Sequence, residues 1–304
     1  MKVRIGIGLG GSGTPGAFAD ALDMLEDMGA DSLWLPEMVY GPLVEPIVGM
    51  AHALARTRRL KVGTGISVLP GRNPVLVAKQ LASLAGLAPG RVLPVFGLQS
   101  ARPAERPLFP VPAGRRATVF DESLALLRML LQQEAVSFAG EFFTVDGAGV
   151  GPLPAKPLDI WVGGSAPAAL RRAGRLADGW LGSLLTPDEA RAGRETIQAA
   201  AAEAGREVED DHFGISLAVA TGPVPGELTA SVRHRRPDTD PTRLIPAGWD
   251  AARRMIGEYV DAGLSKFVIR PATVPPGPDG PPTGAAGLAE FLDGFASELM
   301  PLQT

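Results

Sequence analysis

Hydrophobic positions along the chain switch repeatedly between two periods. The short apolar runs VRIGIGL (3–9), DSLWLPE (31–37), LKVGTGISVL (60–69), RVLPVFG (91–97), LDIWVGG (158–164), GWLGSLL (179–185), FGISLAVAT (213–221) and KFVIRPA (266–272) read as strands. Between them lie segments whose apolar residues recur three and four apart, such as Phe18, Leu22 and Leu25, and these read as helices. Helix starts are marked locally: Pro74 falls in a first turn, where its missing N–H costs nothing, and Thr186 followed by Pro187 and acidic residues is a capped N-terminus. AVSFAGEFFTV, with a glycine between two β-rich halves, predicts a small hairpin, and Gly222 to Pro246 reads as a loop.

Eight successive strand and helix units in one chain of 304 residues predict an α/β fold, a (β/α)8 TIM barrel. Residues 1–304 are expected to form a single domain, with insertions in the loops after strands 4, 7 and 8, at 101–116, 222–246 and 275–287. A doubly wound sheet is the alternative. Its support is the G-x-G-x-x-G of Gly8, Gly10 and Gly13 after the first strand, with Glu37 ending the second, as a dinucleotide site requires. Against it stand the Thr14-Pro15-Gly16 loop before the helix, a second phosphate-type turn at Gly163–Ser165, and the count of units.

Composition narrows the chemistry. At 45% hydrophobic and 20% charged residues there is ample surface to bury, and a net charge of -4 carries no footprint for nucleic acid or an anionic membrane. The basic run RHRRP (233–237) reads as a solvated loop. The chain holds no cysteine, which excludes disulfides and thiolate chemistry, and His52, His212 and His234 fall in no metal-ligand spacing, so no metal is expected. No apolar stretch approaches membrane-spanning length and MKVRIGIGLGG lacks a signal-peptide core, so the expected location is cytoplasmic.

Two turns carry the candidate chemistry. In WVGGSAPAAL, Gly163 and Gly164 end a strand and hand the chain to a helix beginning near Ser165, so backbone N–H groups and a helix dipole converge on one point, a cradle for an anion. In VGTGISVLPGRNP, Gly63 and Gly65 interrupt a strand, which marks a bulge or a close backbone approach.

The text from GRRATVFDESLALLRMLLQQ through PLDIWVGGSAPAALRRAGRLADGWL, with SLWLPEM and VGTGISVLPGRNPVLVAKQLASLAGLAPGRVLPVFG, resembles the luciferase-like monooxygenase superfamily, and within it the F420-dependent oxidoreductases of actinobacterial type. That resemblance implies a barrel binding coenzyme F420 at the C-terminal strand ends, with FMN and monooxygenation as the rival and a non-catalytic flavin-binding barrel as a third reading. It implies that Gly163, Gly164 and Ser165 hold the cofactor phosphate with Arg270 as a charged clamp, and that a non-proline cis peptide at Gly65–Ile66 backs the ring. Gly97, Leu98 and Gln99 would contact the ring edge, although VFGLQS departs from the glycine-richer family text. Where several deazaflavin enzymes carry an acid and a histidine, this chain has Glu37 and Met38; methionine transfers no protons, so Glu37 is the catalytic candidate. The resemblance further implies a homodimer acting on a small organic molecule, and the Phe, Leu and Pro content of the loops at 10–16, 98–116 and 222–246 points to an apolar one.

Overall fold

The computed structural model describes residues 2–9, 15–41, 43–272 and 285–304. One parallel sheet runs from β1 (Arg4–Gly8) to β12 (Lys266–Pro271), in the order β4-β6-β9-β10-β11-β12-β1-β2-β3-β5. Its other members are β2 (Ser32–Leu35), β3 (Lys61–Thr64), β4 (Ser67–Val68), β5 (Val92–Leu93), β6 (Val95–Gly97), β9 (Trp161–Gly163), β10 (Gly179–Ser183) and β11 (Phe213–Val219). The two ends of that order are the same pair of strands. β3 and β4 are halves of one chain run broken at Gly65–Ile66, β5 and β6 are halves of another broken at Pro94, and both halves pair: Val62 with Val92, Ser67 with Phe96. The ladder therefore closes on itself as eight parallel strands, and β1 sits inside the ring between β12 and β2. This pairing overturns the doubly wound alternative, because an open sheet has two edge strands paired on one side only and this ring has none.

Closure sorts the apolar side chains into two sets. Trp34, Val95, Trp161, Leu181 and Val268 fill the lumen, while residues of opposite parity, including Ile5, Ile7, Leu33 and Phe267, face the surrounding helices. Phe18, Leu22 and Leu25 of α1 (Pro15–Met28) are buried on that outer layer, as their spacing predicts. α3 (Pro74–Leu87) starts with Asn73, whose side chain accepts from Val75 N at 2.9 Å, and α6 (Pro187–Glu203) starts with a reciprocal Thr186–Glu189 capping box. β7 (Val136–Ala139) and β8 (Thr144–Ala148) form the expected antiparallel hairpin.

Two expectations need correction. The stretch read as a loop at 222–246 contains α7 (Gly226–Arg235) and a 3-10 turn at Pro241–Arg243; Leu228 and Val232, one turn apart, pack on Ala218, Ala220 and Ala272 at the ends of β11 and β12. The basic run is not a solvated loop either, since Arg233 to Arg235 close α7 and Arg236 pairs with Glu189 while donating to Leu184 O at 2.5 Å. The fingerprint glycines Gly10 and Gly13 and most of the 275–287 segment lie outside the described residues.

Candidate functional site

Parallel strands of a closed ring all point their C-termini at one mouth. Three predicted site residues meet there. Ile66 stands at the break between β3 and β4, and the Gly65–Ile66 bond is cis. Its Cδ1 fills the space where Gly97 and Gly163 lack side chains: a Cβ on Gly97 would lie 2.4 Å from that atom, and one on Gly163 3.0 Å. Strands three, four and five thus present one apolar knob seated on two bare backbones. Only glycine at 97 permits this approach, because a 2.4 Å carbon contact is far inside van der Waals distance.

The next turn is open. Gly164 has φ +116, a conformation that favours glycine, and its carbonyl accepts from Trp180 Nε1 at 2.8 Å, which fixes the turn to a fully buried indole. Gly164, Ser165 and Ala166 are exposed, and α5 (Pro167–Leu176) starts after Ala166 with Pro167 in its first turn and no side-chain cap. The helix begins two residues later than expected. An uncapped helix start at the mouth presents amides and positive dipole to whatever anion docks there.

Glu37 occupies a different position. Its side chain is 4% exposed, and both oxygens are engaged: one pairs with Arg72 Nη2, the other accepts from Val68 N at 2.7 Å. Burial is the largest influence on its carboxyl and, with Glu45 adding, outweighs the Arg72 charge and the Val68 amide, so it titrates above the ordinary value. Arg72 in turn donates to Val68 O at 2.9 Å and lies over the Phe109 ring. Glu37 and Arg72 therefore lock the segment that follows Ile66. Sequence reasoning missed Arg72, although an acid ending one strand and a base after the next is a legible signal.

Met38, Arg72, Gly71 and Phe109 line a cavity of about 660 Å³ that extends from Glu37 to Val48 on α2 (Pro46–Arg56). Its size suits a small organic ligand. Leu98 packs against the main core, and Gln99 is exposed at the mouth. Arg270 is not beside the Gly163–Ser165 turn: β10 and β11 stand between β9 and β12. Of the histidines, His52 lies on α2, His234 on the last turn of α7, and His212 precedes β11 at the opposite end of the barrel, where Nδ1 is 2.8 Å from Asp178 O.

Such a barrel, with an interrupted third strand and an open glycine turn after the fifth, can seat a ligand that carries an anionic group. The luciferase-like monooxygenase family model matches residues 2–266, and the chain belongs to that family. An uncharacterised protein of Mycobacterium tuberculosis is 40% identical over 148 residues, covering 49% of this chain and 51% of that protein. The chain thus spans about half the length of the curated relatives it first matches (51%). An F420-dependent glucose-6-phosphate dehydrogenase of Nocardia farcinica is 27% identical over 335 residues, with 94% of each chain covered. Among solved structures, an F420-dependent secondary alcohol dehydrogenase in complex with an F420-acetone adduct superposes over 100% of both chains with a TM-score of 0.81 at 18% identity. No helix among the described residues is long and apolar enough to cross a membrane.

Proposed function

We propose that the chain is an oxidoreductase that transfers a hydride between coenzyme F420 and a small organic substrate, acting as one unit over residues 1–304. The observation that carries this reading is the Ile66 side chain seated on Gly97 and Gly163 beside the open Gly164–Ala166 turn, an apolar support adjoining an anion seat. F420-dependent relatives support the choice of cofactor. A deazaflavin supplies two-electron chemistry when bound. The residues supply position: Gly65 and Ile66 support the ring, Gly97, Leu98, Gln99 and Met38 bound it, and Gly163, Gly164 and Ser165 receive the phosphate.

Glu37 acts in this reading as a positioning residue. Both its oxygens are committed to Arg72 and Val68, and geometry precedes pKa when a proton carrier is chosen. The segments at 101–116 and 222–246 serve as insertions bounding the mouth, and the location proposed is the cytoplasm. A homodimer is proposed from the exposed apolar side chains Val48 and Leu76 on neighbouring helices.

Fluorescence titration of the purified protein with F420 and, separately, with FMN tests the reading. F420 binding that weakens in Gly164→Ala is expected; tight FMN binding with none for F420 overturns it.

A further inference from the structure

Arg270 ends β12 level with Ala218 on β11. Val268, two residues earlier, belongs to the lumen cluster, so strand alternation turns Arg270 to the same inner side, one step nearer the mouth. The residue is half-buried, yet its guanidinium makes no hydrogen bond or ion pair with any described residue. Several half-buried or buried arginines are neutralised, Arg72 by Glu37, Arg172 by Asp121 and Arg236 by Glu189, and Arg91 and Arg116, without an acid, donate to main-chain carbonyls; Arg270 has neither kind of partner. The charge that Arg270 does feel is a second cation. Loss of water, then the Arg235 charge, pushes its pKa down to about 10.

Arg235 comes from the last turn of α7, which Leu228 and Val232 hold across the ends of β11 and β12. Its guanidinium is exposed and, among the described residues, bonds only within its own helix, to Ser231 O and Oγ, both at 3.3 Å. The following residue fixes that turn, because Arg236 is tied to Leu184 O and Glu189. The half-buried Arg270 thus has the exposed end of α7, with Arg235, on its side of the mouth, and neither guanidinium pairs with a carboxylate among the described residues. A half-buried guanidinium without a partner is costly in the empty protein, and a bound anion lowers that cost.

We infer that Arg270 and Arg235 form a seat for an acidic group of the substrate, a phosphate or a carboxylate, on the part of the mouth away from the Gly163–Ser165 turn. The inference rests on the oxidoreductase reading for calling that ligand a substrate, and it revises the expectation of a wholly apolar one. A substrate with an organic body and an acidic end, lying between the knob and α7, fits these residues.

The test is calorimetric titration of the full chain, with and without saturating F420, using inorganic phosphate and malonate as probes. One or both probes should bind the F420-loaded protein; phosphate alone or malonate alone identifies the acidic group. Arg270→Gln should weaken that binding about tenfold or more, as expected for lost charge-assisted hydrogen bonds. Arg270→Lys, which keeps the charge but not the fork, should weaken it less, and Arg235→Gln should weaken it while leaving F420 affinity unchanged. Absence of anion binding in the F420-loaded protein, or binding unchanged in Arg270→Gln and Arg235→Gln, overturns the inference. So does a loss of F420 affinity in Arg270→Gln with the anion unaffected, which would return the residue to the cofactor. Failure of the unaltered protein to bind F420 at all sinks the oxidoreductase reading instead, while the Arg270 dependence of anion binding can still be read.

Discussion

Lys266 Nζ donates to Asp31 Oδ2 at 2.9 Å, in an ion pair whose side chains are only 9% and 8% exposed. Lys61 Nζ reaches the other carboxylate oxygen at the same distance, 2.9 Å. The cluster joins β12 to the start of β2 and β3 at the end of the barrel opposite the mouth, with Trp34 above the Lys266 ammonium. Breaking it leaves a buried cation without its counter-charge. Asp31→Asn should lower unfolding stability by about 3 kcal/mol, read from denaturant midpoints, with F420 affinity preserved.

The same pair sets an acid limit. Burial alone would raise the Asp31 carboxyl, but the Lys266 and Lys61 charges prevail and hold it at about 2. A depressed carboxyl contributes stability above its unfolded value of about 3.9, and that contribution is lost as pH falls through the folded value. Thermal unfolding should therefore show a fall in midpoint between about pH 4 and pH 2 that is shallower in Asp31→Asn.

At the mouth, Gly97→Ala places a methyl group 2.4 Å from Ile66 Cδ1. Ile66 must move, at a cost of about 1–3 kcal/mol, and F420 affinity should fall with it. Adding Ile66→Val or Ile66→Ala should recover stability but not affinity. Recovery of both would mean that Ile66 only fills space.

Glu37→Gln keeps an acceptor for Val68 N but leaves Arg72 without its counter-charge, so the segment after Ile66 should loosen. A loss of about 2 kcal/mol in stability is expected, with reduced turnover in F420 oxidation assays. If the residue positions and does not shuttle protons, the pH at half-maximal kcat stays put in this variant. A displaced acid limb would make Glu37 the proton carrier.

Val48 on α2 is 63% exposed and Leu76 on α3 is 65% exposed. Val48 shares a cavity wall with Gln80, which stands one turn after Leu76, so the two lie on adjoining helix faces. Val48→Glu with Leu76→Glu should convert a dimer to a monomer by light scattering without lowering the melting temperature. A monomer in the unaltered protein would refute the dimer.

The barrel was legible because each strand and helix unit announces itself locally. Pro94 and the Gly63–Gly65 pair even marked where strands three and four break, since proline cannot donate to a ladder and glycine permits close backbone approach. α7 was not legible: prolines flank it, and it buries only Leu228 and Val232, too few to raise a periodic signal. Contacts remote in sequence escaped for the same reason, as Arg236 and Glu189 are neighbours only once α6 and α7 are both in place. The turn at Gly163–Ser165 was visible as text, while its support by the Trp180 indole requires the pairing of β9 with β10.

Where strands three and four both lapse, Thr64 replaces main chain with side chain: its hydroxyl donates to Val95 O at 2.6 Å and accepts from Val95 N at 2.8 Å. Thr64→Val should orphan both groups, and deuterium uptake at Val95 should rise. A single hydroxyl thus closes the seam at Val95, between the Gly63–Leu93 pairing on one side of the break and the Ser67–Phe96 pairing on the other.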